Sequence, residues 1–162
     1  MSFSTVAQKG YTTSIDEETG ALVFKGHITL ADLRAESGFK WLGRGESSYT
    51  PDLGAITFLR NELPAYSLVA VMGTWCDDSH SLIPRLAKTL AAAQFPQQQF
   101  KMIGVDRSKQ IEGPEGKLYD VNRVPTIIVY KGSEEVGRIT ESVQKNIESD
   151  LAEIIRSDNR NR

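Results

Sequence analysis

Apolar and polar positions along the chain follow two different periods, and together they predict strands that alternate with helices. Short apolar runs, typical of strands buried on both faces, lie at residues 67–74, 100–106 and 127–130. Apolar residues at helical spacing lie after Pro51, between Cys76 and Ala93, and between residues 143 and 157. A strand, a helix and a strand in this order predict a parallel strand pair with a right-handed crossover.

Polar turns between strand-like segments predict two hairpins. Near the start of the chain, residues 11–15 and 21–25 flank a polar turn that ends in Gly20. Near the end, residues 127–130 and 135–140 flank a tight turn that contains glycine. The second pair is expected to be an antiparallel hairpin at one side of the sheet.

The segment between the first hairpin and residue 50 predicts a short helix and a loop. Thr29 followed by Asp32 is typical of a capped helix start, and Gly38 would end that helix. Residues 38–50 contain three glycines and three large aromatic residues. These residues predict a loop, which the aromatic side chains either pin to the core or place over a site. The next helix is expected to start with a capping hydroxyl, a proline and a carboxylate, which are Thr50, Pro51 and Asp52.

These elements predict an N-terminal extension over residues 1–50, containing the hairpin, the short helix and the loop, packed on a main domain over residues 51–162. Residues 1–10 have no clear pattern and are expected to form a loose arm. The amphipathic segment 143–157 predicts a terminal helix that covers the sheet, and the polar residues 158–162 are expected to fray.

Composition and charge exclude several classes of partner. The chain has 162 residues, of which 40% are hydrophobic, so it can bury a core of its own. Its formal net charge is −2 and it has no basic run, which does not favour nucleic acid or an anionic membrane as a partner. The N-terminus does not resemble a signal peptide, and a single cysteine fits a reducing compartment, so a cytoplasmic location is predicted.

The candidate chemistry is at Cys76, which stands where an apolar strand pattern changes to a helical one. At the N-terminus of a helix, unpaired N–H groups and the helix dipole favour the thiolate over the thiol. The carboxylates of Asp77 and Asp78 oppose this effect if they lie close, although they also stabilise the first turn of a helix. Asp78 or Ser79 can cap the helix, and the Ser79 hydroxyl can also donate a hydrogen bond to the sulfur.

The chain resembles the thioredoxin family in several short motifs. The matches are Trp75-Cys76 at the strand–helix junction, Pro84 eight residues after the cysteine, a strand ending in Asp106, and the segment Val124-Pro125-Thr126. The resemblance covers about residues 51–157. It implies an α/β thioredoxin-like fold, with a central mixed sheet flanked by helices. It also implies that Pro125 is cis and lies near the cysteine. The residues expected to contact substrate are Trp75, Asp77, Asp78, Val124, Pro125 and Thr126.

Three positions depart from the pattern of that family. Ser79 stands where thioredoxins have the second cysteine of Cys-Gly-Pro-Cys, so no second thiol can resolve a mixed disulfide. Ala70 stands where the family has a buried aspartate, which serves that second thiol as a proton acceptor. Glu141 stands near the position of a family glycine, which puts the usual flat substrate surface in question.

The resemblance and its departures favour a monothiol thioredoxin-like redox protein. Its catalytic residues would be Cys76, which forms mixed disulfides, and Ser79 beside it. Its partner would be a disulfide-bearing protein or a low-molecular-weight thiol, and an external thiol would release the adduct. The alternative is a non-catalytic binding module of the same fold, in which the acidic turn and residues 38–50 form the interaction surface.

Metal and cofactor chemistry are not expected at this site. His80 lies four residues after Cys76, but the sequence has no second cluster of cysteine and histidine to complete a metal site, so His80 is expected to be an exposed residue of the helix. Monothiol glutaredoxins share the Cys-x-x-Ser spacing and hold iron–sulfur clusters with glutathione. The pair Asp77 and Asp78 disfavours such a negatively charged assembly. The oligomeric state is left open.

Overall fold

The computed structural model describes residues 9–162, so most of the predicted N-terminal arm lies outside the described residues. The strands are β1 (Tyr11–Ile15), β2 (Leu22–Ile28), β3 (Ser67–Met72), β4 (Phe100–Gly104), β5 (Thr126–Lys131) and β6 (Glu134–Thr140). The helices are α1 (Leu30–Ala35), α2 (Lys40–Ser47), α3 (Leu53–Glu62), α4 (Asp77–Ala92), α5 (Pro114–Tyr119) and α6 (Ile147–Arg160). None of the helices within residues 9–162 combines the length and the apolar character that crossing a membrane requires.

All six strands belong to one mixed sheet in the order β1-β2-β4-β3-β5-β6. Strands β3 and β4 are parallel, and the other neighbouring pairs are antiparallel. This sheet, flanked by helices, confirms the predicted thioredoxin-like fold class. The predicted hairpins are also confirmed, as β1–β2 at one edge and β5–β6 at the other.

The central strand β3 is buried on both faces, as its apolar run predicts. Leu68 and Met72 face a large apolar cluster that includes residues of α2, α3, α4 and α6. Val71 faces a smaller cluster on the other side of the sheet, together with Trp75 and Tyr119. Because α4 follows β3 directly and packs on the larger cluster, the turn between them is fixed at the carboxyl end of β3.

Most of segment 38–50 is helix α2, so the loop predicted there is wrong. Glycine in a helix interior usually costs about 1 kcal/mol relative to alanine, which is why the glycines predicted a loop. Gly45, however, lies directly against Pro84 of α4, where an added Cβ would stand 2.6 Å from the proline Cβ. The glycine therefore permits close packing of α2 on α4. The aromatic residues pin the segment to the core: Phe39 is buried, and Trp41 and Tyr49 pack against the large cluster.

Two helix boundaries also differ from prediction. The carboxylate of Asp52, rather than the hydroxyl of Thr50, caps the first turn of α3. Helix α6 begins after Asn146, whose side chain is its N-cap, and it continues to Arg160, into the segment 158–162 expected to fray. It continues because Asp158 is buried and accepts a 2.6 Å hydrogen bond from the Tyr66 hydroxyl.

A buried carboxylate at the start of α6 ties three helical segments together. Glu148 is 1% exposed and accepts hydrogen bonds from the Tyr49 hydroxyl at 2.6 Å and the Asp52 N–H at 2.8 Å. The Thr89 hydroxyl of α4 lies 3.4 Å from the same carboxylate. Burial, and then the hydrogen bond to Glu148, raise the pKa of Tyr49 above its ordinary value. The network connects the end of the N-terminal segment to α3, α4 and α6.

We expect Glu148→Gln to lower the free energy of unfolding by about 1–2 kcal/mol, because one buried donor then faces an amide N–H₂ instead of an oxygen. Tyr49→Phe is the matched control, since it removes one hydroxyl and leaves the carboxylate bonded to the Asp52 N–H. It should cost about 1 kcal/mol. Urea unfolding followed by circular dichroism measures both values. A Glu148→Gln variant as stable as the natural chain would contradict the assigned role of this network.

Candidate functional site

The turn between β3 and α4 holds the thiol at the start of the longest helix. Cys76 is the N-cap residue of the 16-residue helix α4, with extended backbone angles of φ −96° and ψ 123°. Its N–H donates to the Gly73 carbonyl at 3.0 Å, and its carbonyl accepts from the His80 N–H at 3.0 Å. The side chain is half-buried. The thiol therefore lies at a helix N-terminus, where the sequence pattern placed it.

Neither Ser79 nor Asp78 caps helix α4 with its side chain, although the sequence predicted that one of them would. The Ser79 side chain is fully buried, and its oxygen accepts a 3.1 Å hydrogen bond from the Gly73 N–H. The hydroxyl thus braces the turn before the thiol instead of capping the helix. The carboxylates of Asp77 and Asp78 are exposed in the first turn of α4, where their negative charge interacts favourably with the positive end of the helix dipole.

The segment before β5 forms the other wall of the site. The Cys76 Sγ lies 3.6 Å from the Val124 carbonyl oxygen, to which the thiol donates a weak hydrogen bond. The peptide bond between Val124 and Pro125 is cis, as the family resemblance implies. Thr126 is buried, and its hydroxyl donates to the Arg123 carbonyl at 2.7 Å. Trp75, Cys76 and the 124–126 segment therefore come together at one end of the sheet.

Glu141 has the backbone conformation that explains a glycine at its position in the family. Its φ is +64°, in the left-handed region that glycine adopts without steric cost. Its N–H donates to the Pro125 carbonyl at 2.7 Å. This chain thus keeps the backbone turn beside the 124–126 segment while adding a half-buried carboxylate there. The carboxylate lies 3.9 Å from the Arg123 guanidinium.

The residues around the thiol also bind the N-terminal hairpin. The Thr74 hydroxyl donates to the Leu22 carbonyl at 2.7 Å and accepts from the Phe24 N–H at 3.2 Å. The Trp75 indole N–H donates to the Val105 carbonyl at 2.8 Å. These hydrogen bonds join three segments to one another: β2, the turn at 73–76 and the end of β4.

His80 packs into the site, so its expected exposure at the helix surface is wrong. Its ring stacks on Trp41 with centroids 4.5 Å apart, and its Nε2 lies 2.6 Å from the Thr74 carbonyl oxygen. Since a carbonyl only accepts, the proton is on Nε2. No group of three or more metal-binding side chains occurs in the part of the chain that the structure describes. His80 is therefore assigned to packing and to holding the turn.

Arg107 and Asp16 belong to the site although nothing in the sequence pattern predicted them. The Arg107 guanidinium lies over the Trp75 ring at 4.7 Å from its centroid. It also donates two hydrogen bonds, of 2.6 Å and 3.0 Å, to the carboxylate of Asp16. Arg107 holds the pKa of the Asp16 carboxyl well below its usual range, and Asp16 raises the pKa of Arg107. The charge of Cys76 acts on the pKa of Arg107 in the same direction as Asp16.

One comparison with known proteins, the match to a family model, shows the family of this chain. A family model described as Thioredoxin matches residues 60–156, which is more than half of the chain. No curated protein matches the chain. A solved structure of a protein of unknown function from Pseudomonas aeruginosa is similar at 16% identity and a TM-score of 0.49, over 80% of this chain and 78% of that one. An HIV epitope-scaffold is similar at 14% identity and the same TM-score, over 80% and 78% of the two chains.

Proposed function

The chain belongs to the thioredoxin family, and from that premise we propose that it is a monothiol exchange protein that forms mixed disulfides through Cys76. The observation that carries the proposal is the position of this thiol. It is half-buried, it belongs to the N-cap residue of a 16-residue helix, and it faces the 124–126 segment. Helix N-termini stabilise thiolates, and the thiolate is the species that attacks a disulfide.

The proposed step exchanges one disulfide for another without net oxidation. The Cys76 thiolate attacks one sulfur of a disulfide R–S–S–R, so that a Cys76–S–S–R bond forms and the old S–S bond breaks. The expelled R–S⁻ takes up a proton from solvent. An external thiolate then attacks the sulfur of R in the adduct, leaves with R as a new disulfide, and returns Cys76 as the thiolate. A reducing compartment such as the cytoplasm supplies that external thiol.

The neighbouring residues are proposed to orient the incoming disulfide. The Val124 carbonyl accepts from the Cys76 thiol in the resting protein, and loss of that proton frees the sulfur to attack. Pro125 and Thr126 would line the path of an extended substrate, with the Trp75 side chain packed beneath the turn. The exposed carboxylates of Asp77 and Asp78 would contact substrate at the other side. Ser79 supports the turn through Gly73 and resolves nothing, because a hydroxyl cannot exchange with a disulfide.

We expect the protein to gain the mass of one glutathionyl group when it is incubated with oxidised glutathione under mildly oxidising conditions. Cys76 is the only cysteine, so intact mass spectrometry assigns the adduct without digestion. The Cys76→Ser variant should gain no mass, and added dithiothreitol should remove the adduct from the natural chain. Failure to form an adduct with glutathione or with cystine would reject the proposed exchange.

A non-catalytic binding module is the second candidate, and one contact favours it. Only the neutral thiol can donate to the Val124 carbonyl, so this 3.6 Å contact stabilises the unreactive form of Cys76. In that case the acidic first turn of α4 would contact a partner without covalent chemistry. The same incubation decides between the two candidates, because a folded protein that stays free of adduct across the disulfides tested favours the binding module.

A further inference from the structure

We infer that Arg107 is a positioning residue for Cys76, and that the N-terminal hairpin is part of the thiol site because its Asp16 holds Arg107 in place. The inference rests on the proposed function, since it concerns the readiness of Cys76 for exchange. It also assigns a task to the N-terminal extension, which the family motifs do not cover. The following contacts carry it.

Asp16 anchors Arg107 with a geometry that leaves the guanidinium little freedom. Both carboxylate oxygens accept hydrogen bonds from Arg107, at 2.6 Å and 3.0 Å, in the paired arrangement that suits a planar guanidinium. Glu18, from the same hairpin turn, lies 3.0 Å from Nη1. Asp16 is itself fixed, because its carboxylate accepts from the Thr19 hydroxyl at 2.6 Å and from the Thr19 N–H at 2.9 Å.

The anchored guanidinium lies over the residue that precedes the thiol. Arg107 covers the face of the Trp75 ring, and the ring edge is fixed by the indole hydrogen bond to the Val105 carbonyl. The Arg107 side chain is 38% exposed, so its far side faces solvent near the start of α4. Its positive charge therefore lies against the residue that directly precedes Cys76. Asp16 of the hairpin therefore holds in place the positive charge of Arg107, which lies in the loop after β4.

The charge matters because the surroundings of the thiol are mainly acidic. The ionisable side chains on the segments around Cys76 are Asp77, Asp78 and His80 on α4, Asp16 and Glu18 on the hairpin turn, Lys25 on β2, Asp106 and Arg107 after β4, and Arg123 and Glu141 beside the 124–126 segment. Lys25 is paired with Asp106, and Arg123 lies near Glu141. Arg107 is also paired, with Asp16 and Glu18, but it is the cation that these contacts hold against Trp75, next to the thiol.

The test is the pH dependence of the alkylation of Cys76 by iodoacetamide in the full chain. We expect Arg107→Gln to move the midpoint of the rate–pH curve upward by about 0.3–0.5 unit, the size of effect that one nearby charge screened by water has. Below the midpoint, the rate should fall about twofold. Arg107→Lys should stay close to the natural curve, because the positive charge is kept and a single ion pair with Asp16 can still hold it.

Two controls separate positioning from folding. Arg162→Gln breaks a comparable bond to the buried Asp158, at the opposite end of the sheet, and should leave the curve unchanged. In an Asp16→Ala background, Arg107→Gln should move the midpoint by less than half as much, because Arg107 then keeps only the exposed Glu18 contact and is held less firmly over Trp75. Thermal unfolding monitored by circular dichroism confirms that each variant is folded.

Three results would overturn the inference: superimposable curves for Arg107→Gln and the natural chain, an equal shift in Arg107→Lys, or an undiminished shift in the Asp16→Ala background. Alkylation requires no disulfide. A chain that forms no glutathione adduct but shows the expected shifts would therefore retain the positioning role of Arg107 and lose only the proposed exchange function.

Discussion

Ser79→Cys should convert the chain into a dithiol protein that catalyses the reduction of insulin by dithiothreitol, a reaction that the natural chain should not accelerate. The two positions stand three residues apart across the first turn of α4, with Cys76 at its N-cap. That spacing brings their Cα atoms within the roughly 4.4–6.8 Å that a disulfide requires. Ser79 is fully buried, so the new sulfur would be shielded while Cys76 stays at the surface, which suits a resolving thiol.

The gain follows from making release of the substrate intramolecular. In the variant, the new thiolate attacks the Cys76 sulfur of the mixed disulfide, forms an internal disulfide and expels the substrate as a thiol. Dithiothreitol then reduces the internal disulfide and restores both thiols. An internal nucleophile replaces an encounter with an external thiol. We therefore expect the rate of insulin reduction with the variant to exceed the rate with the natural chain by roughly tenfold or more. The gain should stay below that of a dithiol thioredoxin, because Ala70 offers no proton acceptor to the new thiol.

Insulin turbidity measures the rate, and intact mass reports whether the internal disulfide forms. Ser79→Ala is the matched control: it removes the same hydroxyl bond to Gly73 without adding a thiol, and it should remain inactive. A Ser79→Cys variant that forms the internal disulfide yet leaves insulin unreduced would contradict the prediction. The acidic turn or Ala70 would then limit the rate of insulin reduction more than the missing second thiol does.

The parts of the site that the sequence revealed are those encoded by neighbouring residues. The position of Cys76 follows from an apolar strand pattern and a helical pattern that meet at one residue. The capping box of α1 was likewise predictable, because the Thr29 hydroxyl and the Asp32 carboxylate each bond to the other's backbone N–H. The mixed sheet follows from the order of the strands and from the family motifs. Each of these features depends on residues close together in the chain.

The parts that the sequence did not reveal depend on contacts between distant residues. Asp16 and Arg107 are 91 residues apart, and neither lies in a motif. The bond between Thr74 and Leu22 joins positions 52 residues apart. A polar turn in a hairpin and a charged loop after a strand both look like ordinary solvated segments. Only the packing of the hairpin beside β4 brings them to the thiol.

Contacts between distant residues also explain two wrong predictions, the loop at residues 38–50 and the exposure of His80. Glycine at positions 43 and 45 lowers helix propensity, but propensity is a weak guide where a helix gains stability by packing. Gly45 touches Pro84, and Trp41 stacks on His80, so α2 and α4 define each other's surfaces. Neither helix alone shows that its apparent surface residues are covered. Both errors therefore arise from a single helix–helix contact.

Gly104→Ala should be among the most destabilising single substitutions in the chain, because it would separate the hairpin from the rest of the sheet. Gly104 is the last residue of β4 and pairs with Gly26, where a φ of +125° lets β2 bend across it. A Cβ added at Gly104 would stand 2.0 Å from the Phe24 carbonyl oxygen, which is backbone and cannot rotate away. Strand β2 must therefore move. We expect a loss of roughly 3–5 kcal/mol in the free energy of unfolding.

The displacement should also reach the thiol, because the Phe24 N–H donates to the Thr74 hydroxyl two residues before Cys76. A hairpin shifted from β4 would loosen that bond and would carry Asp16 away from Arg107. Urea unfolding measures the stability of the variant, and iodoacetamide measures its thiol reactivity. Gly43→Ala is the control with the opposite sign: no atom lies within 4 Å of its added Cβ, and α2 should gain about 0.5–1 kcal/mol. If Gly104→Ala were as stable as Gly43→Ala, β2 would not lie against β4 as closely as the structure has it, and the hairpin could not hold the thiol turn.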